Sequence, residues 1–221
     1  MFDLPLFPLT TVLFPGQPLP LHIFEPRYRE MIAMCLETRQ PFGITLAEMS
    51  RPGDPPEWGK MRPYRFACTA EIRSHERLPD GKYNITVFGK DRVRIQRIRQ
   101  DRAYLVAEVE HYPFAWESPL EVEQGSRVLR HWLDRYLTTL EEAGRLQPGA
   151  RQMPERADLL AYLAVMLVPN LSMLDKQDLF ELATLDALIE RLRSVYRREV
   201  PLLEVLNRPP HNEFVGPFSL S

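Results

Sequence analysis

Apolar positions recur with two different periods along the chain, and the change falls near Pro113. Before it, short apolar runs at 4–7, 11–14, 19–24, 42–47, 64–73, 82–88, 92–98 and 103–111 are each bounded by Pro, Gly or Asp, which predicts short strands. Strands spaced so closely suggest a closed or strongly curved β body. One helical stripe interrupts them. Tyr28, Met31, Ile32, Cys35 and Leu36 follow Pro26 at i, i+3, i+4, i+7 and i+8, so a helix opening at Pro26 packs one face on the sheet. Pro79, Asp80 and Gly81 lie between two strand patterns and predict a tight turn, because Gly supplies the positive φ that hairpin turns need. The Pro- and Gly-rich stretch 51–62 has no periodicity and predicts an exposed loop.

After Pro113 the helical period takes over. Leu129, Trp132, Leu133, Tyr136, Leu137 and Leu140 form one stripe, which Gly144, Pro148 and Gly149 terminate. A second helix is expected over about 155–168, with Leu159, Leu160, Leu163, Met166 and Leu167 facing inward. Ser172 and Asp175 have the spacing of a capping box and predict a third, short helix. Thr184 caps a fourth, whose stripe is Leu188, Leu192, Val195, Tyr196 and Glu199, and Pro201 is expected to kink or restart it. The expected organisation is a β body over 2–113, a helical bundle over 114–206 and a tail over 207–221. The fold class is α+β.

Composition narrows the function classes. The 221 residues are 44% hydrophobic and 26% charged, which fits neither a disordered tail protein nor a membrane protein. The ten-residue apolar run 159–168 is about half of what a membrane span requires, and no Lys or Arg precedes Arg27, so no secretory leader is read. A cytoplasmic location is expected. A net charge of −2 removes any whole-molecule case for nucleic acid. Cys35 and Cys68 form no CxxC pair, and they are expected to be reduced and packed.

Candidate chemistry is sparse. Gly53, Gly59 and Lys60 miss the spacing of a phosphate loop, and Met61 stands where a magnesium-binding hydroxyl belongs. No serine sits in a nucleophile elbow, and His75-Glu76 lacks a second histidine one turn on. Glu108 and Glu110 alternate with apolar residues as ordinary sheet surface does. No cofactor, metal or catalytic residue is therefore expected. The strongest charge feature is 90–102, where six basic residues stand against Asp91 and Asp101. Lys90, Arg92 and Arg94 on a strand carry the nucleic-acid reading, while a solvated, charge-protected edge is the plainer one.

One string is distinctive: LPLFPL from Leu4, VLFPG from Val12 and PLHIFEPRY from Pro20. Phe42-Gly-Ile44, the Asp80-to-Asn84 turn, Gly89 with Arg92, the strand 103–109, Lys176-Gln177 to Glu181, and 190–192 continue the same order. Together these resemble the N-terminal substrate-binding domain of Lon proteases in its small stand-alone form, over about residues 2–206. The resemblance implies a PUA-like pseudo-barrel of twisted strands with one helix, followed by a helical bundle. It implies a non-catalytic module that binds unfolded or flexible polypeptide segments or a partner protein, because the chain ends at Ser221 with neither ATPase nor peptidase. RNA or DNA binding by a PUA-like barrel is the alternative. The candidate polypeptide site is Phe14, Phe24, Glu25, Arg27 and Glu30, with 14–18 expected to offer exposed apolar surface.

Overall fold

The computed structural model describes residues 1–48, 62–115, 118–147, 153–168 and 170–207. The expected loop at 51–62 lies almost wholly outside them, as does most of the tail. Six strands are present: β1 (Phe2–Leu9), β2 (Pro18–Ile23), β3 (Phe42–Glu48), β4 (Arg62–Arg77), β5 (Tyr83–Arg99) and β6 (Leu105–His111). Between β2 and β3 lies α1 (Pro26–Thr38), and after β6 come α2 (Pro119–Glu142), α3 (Ala157–Leu167), α4 (Met173–Glu181) and α5 (Leu185–Leu206).

The strand order is β2-β5-β4-β3-β1-β6, and β6 also pairs with the second half of β5. The ladder thus returns to β5. β1 and β3 are parallel, and the other pairs are antiparallel. Two long strands serve two purposes: the later half of β5 belongs to the ring, while its first half joins β2 and the end of β4 in a projecting arm. Within the ring Leu4, Leu6, Ala67, Val93, Ile95, Ala107 and Val109 form a small core. A far larger apolar core lies between the sheet, α1 and the bundle.

Two strand expectations are corrected. Residues 82–88 and 92–98 are one strand, because the ladder shifts register near Gly89 instead of ending there. A Cβ at Gly89 would run into the Phe14 carbonyl oxygen, so only Gly lets that segment cross so closely. The run 11–14 forms no strand: Val12, Leu13 and Phe14 are consecutively buried in the connection between β1 and β2.

The helical expectations hold with one rotation. Ser172 Oγ accepts from Asp175 N, and Asp175 Oδ2 accepts from Ser172 N, both at 3.0 Å, which is the capping box. Thr184 Oγ1 accepts from Ala187 N at 3.4 Å. α5 runs through Pro201 as a single helix, with Pro201 on its exposed side. In α3 the most buried residues are Leu160, Ala161, Tyr162, Ala164 and Val165, not the expected narrow stripe. The helix is central: Tyr162 meets Phe14 of the β body, while the Ala164 carbonyl accepts from the Tyr196 hydroxyl of α5 at 2.8 Å. Burial pushes both thiols up, Cys35 to about 12.

Candidate functional site

β2 alternates cleanly. Leu19, Leu21 and Ile23 face inward, while Pro18, Pro20 and His22 are exposed, and Phe24 continues the outward set at 54% exposure. Its ring stacks beside His22, with centroids 6.1 Å apart. The chain then turns into α1 through Glu25, whose backbone is extended, and Pro26 at the first helical position.

Glu25 does not cap the helix with its side chain. Its Oε2 accepts from Arg27 Nε at 2.9 Å and Nη2 at 2.7 Å, and the guanidinium lies 4.6 Å from the centre of the Tyr28 ring. The pair is about one-fifth exposed on each side, so it presents a rigid, nearly neutral corner rather than two free charges. Burial is the main cause that raises the Tyr28 phenol above its ordinary range. Glu30 follows one turn after Arg27 and is exposed. Behind this corner the Leu78 N–H donates to the Lys82 carbonyl at 2.8 Å, closing the turn, and Arg29 lies against Gly81. Gly81 has φ +79°, so any side chain there would be strained as well as crowded.

Sequence reasoning missed a row beside Phe24. His22 Nδ1 meets Asn84 Oδ1 at 2.7 Å, and Asn84 Nδ2 donates to Glu76 Oε2 at 3.4 Å, crossing β2, β5 and β4. With Pro20, Ser74 and Thr86 these groups line a shallow concavity of roughly 510 Å³ on the outer face of the arm. The alternation in 18–23 and the turn at Gly81 carried the signal, but only the pairing register sets His22 opposite Asn84.

Phe14 is corrected out of this site. It is 1% exposed, 5.7 Å from the Tyr162 ring and 5.6 Å from the Phe180 ring, so 14–18 offers no open apolar surface at Phe14. The nucleic-acid reading loses its basis in the same way. Arg92 is 4% exposed; its Nη1 donates to the carbonyls of Phe180 and Leu182 at 2.7 and 2.8 Å, and its guanidinium lies 3.8 Å from the Phe114 ring centre. Burial lowers its pKa from the ordinary arginine value. Arg94 pairs with Glu110, Lys90 with Glu71 at 3.3 Å, and Arg99 with Asp3. Three of the six basic residues of the run are thus paired with carboxylates, and Arg92 is consumed in the core.

Among the described residues no group of three metal-ligating side chains occurs, and no helix is long and apolar enough to cross a membrane.

This fold is shared by two solved structures. The Lon N-terminal domain protein from Xanthomonas campestris superposes with a TM-score of 0.58 at 24% identity, covering 88% of this chain and 98% of that one. The N terminal domain of the Mycobacterium avium complex Lon protease gives 0.60 at 18% identity, covering 90% of this chain and 100% of that one. The family model described as "ATP-dependent protease La (LON) substrate-binding domain" matches residues 3–197, and the chain belongs to that family. Lon protease 2 of Syntrophobacter fumaroxidans is 26% identical over 197 residues, which are 89% of this chain and 24% of that protein. A LON peptidase N-terminal domain and RING finger protein of Schizosaccharomyces pombe is 34% identical over 118 residues, 49% of this chain and 24% of that protein. The chain spans about a quarter of the length of these relatives.

Proposed function

We propose that this substrate-binding module holds flexible polypeptide segments on the outer face of the β2–β5–β4 arm, with Phe24 as the apolar anchor, and performs no chemistry of its own. The observation that carries this reading is an aromatic side chain more than half exposed, stacked on His22 and set beside the concavity lined by Asn84 and Glu76. Large exposed apolar groups rimmed by polar ones mark interaction sites. The family supports a substrate-binding role; the segment class, the site and the absence of catalysis are this proposal.

The mode of contact follows from the prolines. Gly89 N donates to the Gln17 carbonyl at 3.0 Å, so in the register of β2 with β5 the outward-pointing backbone groups belong to Pro18, Pro20 and His22. Two of the three lack an N–H. The free edge of β2 is therefore a poor template for an added strand, and a bound segment is read through side chains against Phe24, His22, Glu76 and the Glu25–Arg27 corner. Such contacts bury little area and must offset the ordering of the segment, so affinity is modest.

The test is fluorescence anisotropy with labelled peptides tiled across a reduced, carboxymethylated casein. Phe24→Ala weakens the best binders about tenfold. Parental affinity in both Phe24→Ala and His22→Ala would place the site elsewhere.

A further inference from the structure

The bundle carries a second open surface, distinct from the sheet arm. The capping box starts α4 so that Asp175, Asp178 and Leu179 share one face, Leu182 follows just past its C-terminal end, and α5 runs beside it. The trough between the helices has a volume of roughly 870 Å³. Its floor is apolar: Leu171, Leu179, Leu182 and Val195 contribute, and Leu174, 57% exposed, lies one turn before Asp178 on the same face of α4.

Its walls are charged with opposite sign. On α5, Arg191 and Arg198 line the trough and both are exposed; neither makes a close ion pair among the described residues, and Arg191 acts on Asp175 across the trough only at longer range. Most other arginines of known environment in the chain are paired, stacked or buried, as Arg27, Arg92, Arg94, Arg99, Arg135 and Arg193 are. On α4 the facing wall has Asp175, whose carboxylate is occupied by the Ser172 cap, and Asp178, which makes no ion pair among the described residues. The two arginines are seven positions apart, which places them about 10.5 Å apart along α5.

We propose that this groove docks an amphipathic helix of a partner protein. Its apolar ridge seats on the leucines and Val195, two carboxylates at i and i+7 meet Arg198 and Arg191, and a basic residue on its other flank faces Asp178. A helix fits because its own seven-residue repeat reproduces the arginine spacing. A nucleic acid or polyphosphate does not, since it would meet the α4 carboxylates while leaving the apolar floor uncovered. The inference is independent of the proposal for Phe24.

The experiment is anisotropy of the full chain with a synthetic helical peptide of about four turns, carrying Leu on one face, Glu at i and i+7, and Lys on the opposite flank. The peptide binds; the double charge reversal R191E/R198E weakens it about tenfold, and replacing the two peptide glutamates with lysines restores binding to that variant. Phe24→Ala leaves binding unchanged, whereas loss in Phe24→Ala would assign the peptide to the sheet face and overturn the groove. No binding, or equal binding before and after charge reversal, also overturns it. So does a parent chain that sediments as a dimer while R191E/R198E sediments as a monomer, since the groove would then be occupied by a second copy.

Discussion

Phe14 and Phe24 stand ten residues apart in one segment, yet one lies at the junction of sheet and bundle and the other at an open corner. At the junction, Phe14 touches α3 through Tyr162 and α4 through Phe180, and Arg92 closes the carbonyl end of α4 while lying over Phe114. At the corner, Phe24 meets only His22 among the rings of the described residues, and Glu25 and Arg27 satisfy one another. Burying a large apolar side chain is worth about 1.5–3 kcal/mol relative to leaving it wet. The junction gains that contribution from Phe14, while the corner leaves it largely unclaimed in Phe24, available to a binding partner. Under the proposed function, stability and recognition are thereby separated along a single stretch of chain.

The harshest way to break this comparison is to remove the bundle. The junction makes the β body and the helices share one apolar core, so a fragment of residues 1–115 loses the cover over Phe14 and Cys68. It is expected to bind a hydrophobic dye and to melt without a cooperative transition; a soluble fragment with a sharp melt would mean that the two parts are independently stable domains.

Phe14→Ala comes next. A fully buried phenylalanine costs about 3–5 kcal/mol on truncation, so denaturant unfolding should show a loss of that size. A loss under about 1 kcal/mol would contradict its place between Tyr162 and Phe180.

Arg92→Met keeps the apolar stem but leaves the carbonyls of Phe180 and Leu182 without their donor. The expected cost is about 1–3 kcal/mol, the penalty of leaving buried carbonyl groups unsatisfied, partly offset by removing a buried guanidinium nitrogen that has no partner among the described residues. Filter binding to RNA at low salt should not change with this variant; a steep loss would revive the basic run as a nucleic-acid contact.

Phe24→Ala should be nearly silent in stability, within about 0.5 kcal/mol by thermal melt, because the ring is more than half exposed. Its effect belongs to peptide binding alone. A stability loss comparable with that of Phe14→Ala would erase the distinction between corner and junction.

Much of the architecture was legible because its signals are local. The stripe from Tyr28 to Cys35, the turn at Gly81, the box of Ser172 with Asp175 and the cap at Thr184 each rest on residues within a turn or two of one another, and each is present. The site was legible only in part. Phe24, Glu25 and Arg27 lie where β2 runs directly into α1, with Glu30 exposed one turn on, as the order of residues implies. Phe14 was misplaced because an apolar residue beside Pro15 and Gly16 reads alike whether or not a helix from over 140 positions away comes to cover it.

By itself, then, the order of residues determined most element types, though not the strand expected at 11–14, together with the α+β class and the family, since period, capping and turn chemistry act over a few residues. Tertiary structure alone decided that Tyr83–Arg99 is one strand, that Arg92 enters the core, that His22 stands opposite Asn84 and that Arg191 and Arg198 share a groove with Asp178. Those outcomes depend on pairing register and on which helix packs over which face. The free energy that selects them comes from contacts between segments far apart in the chain, where no local pattern reports them.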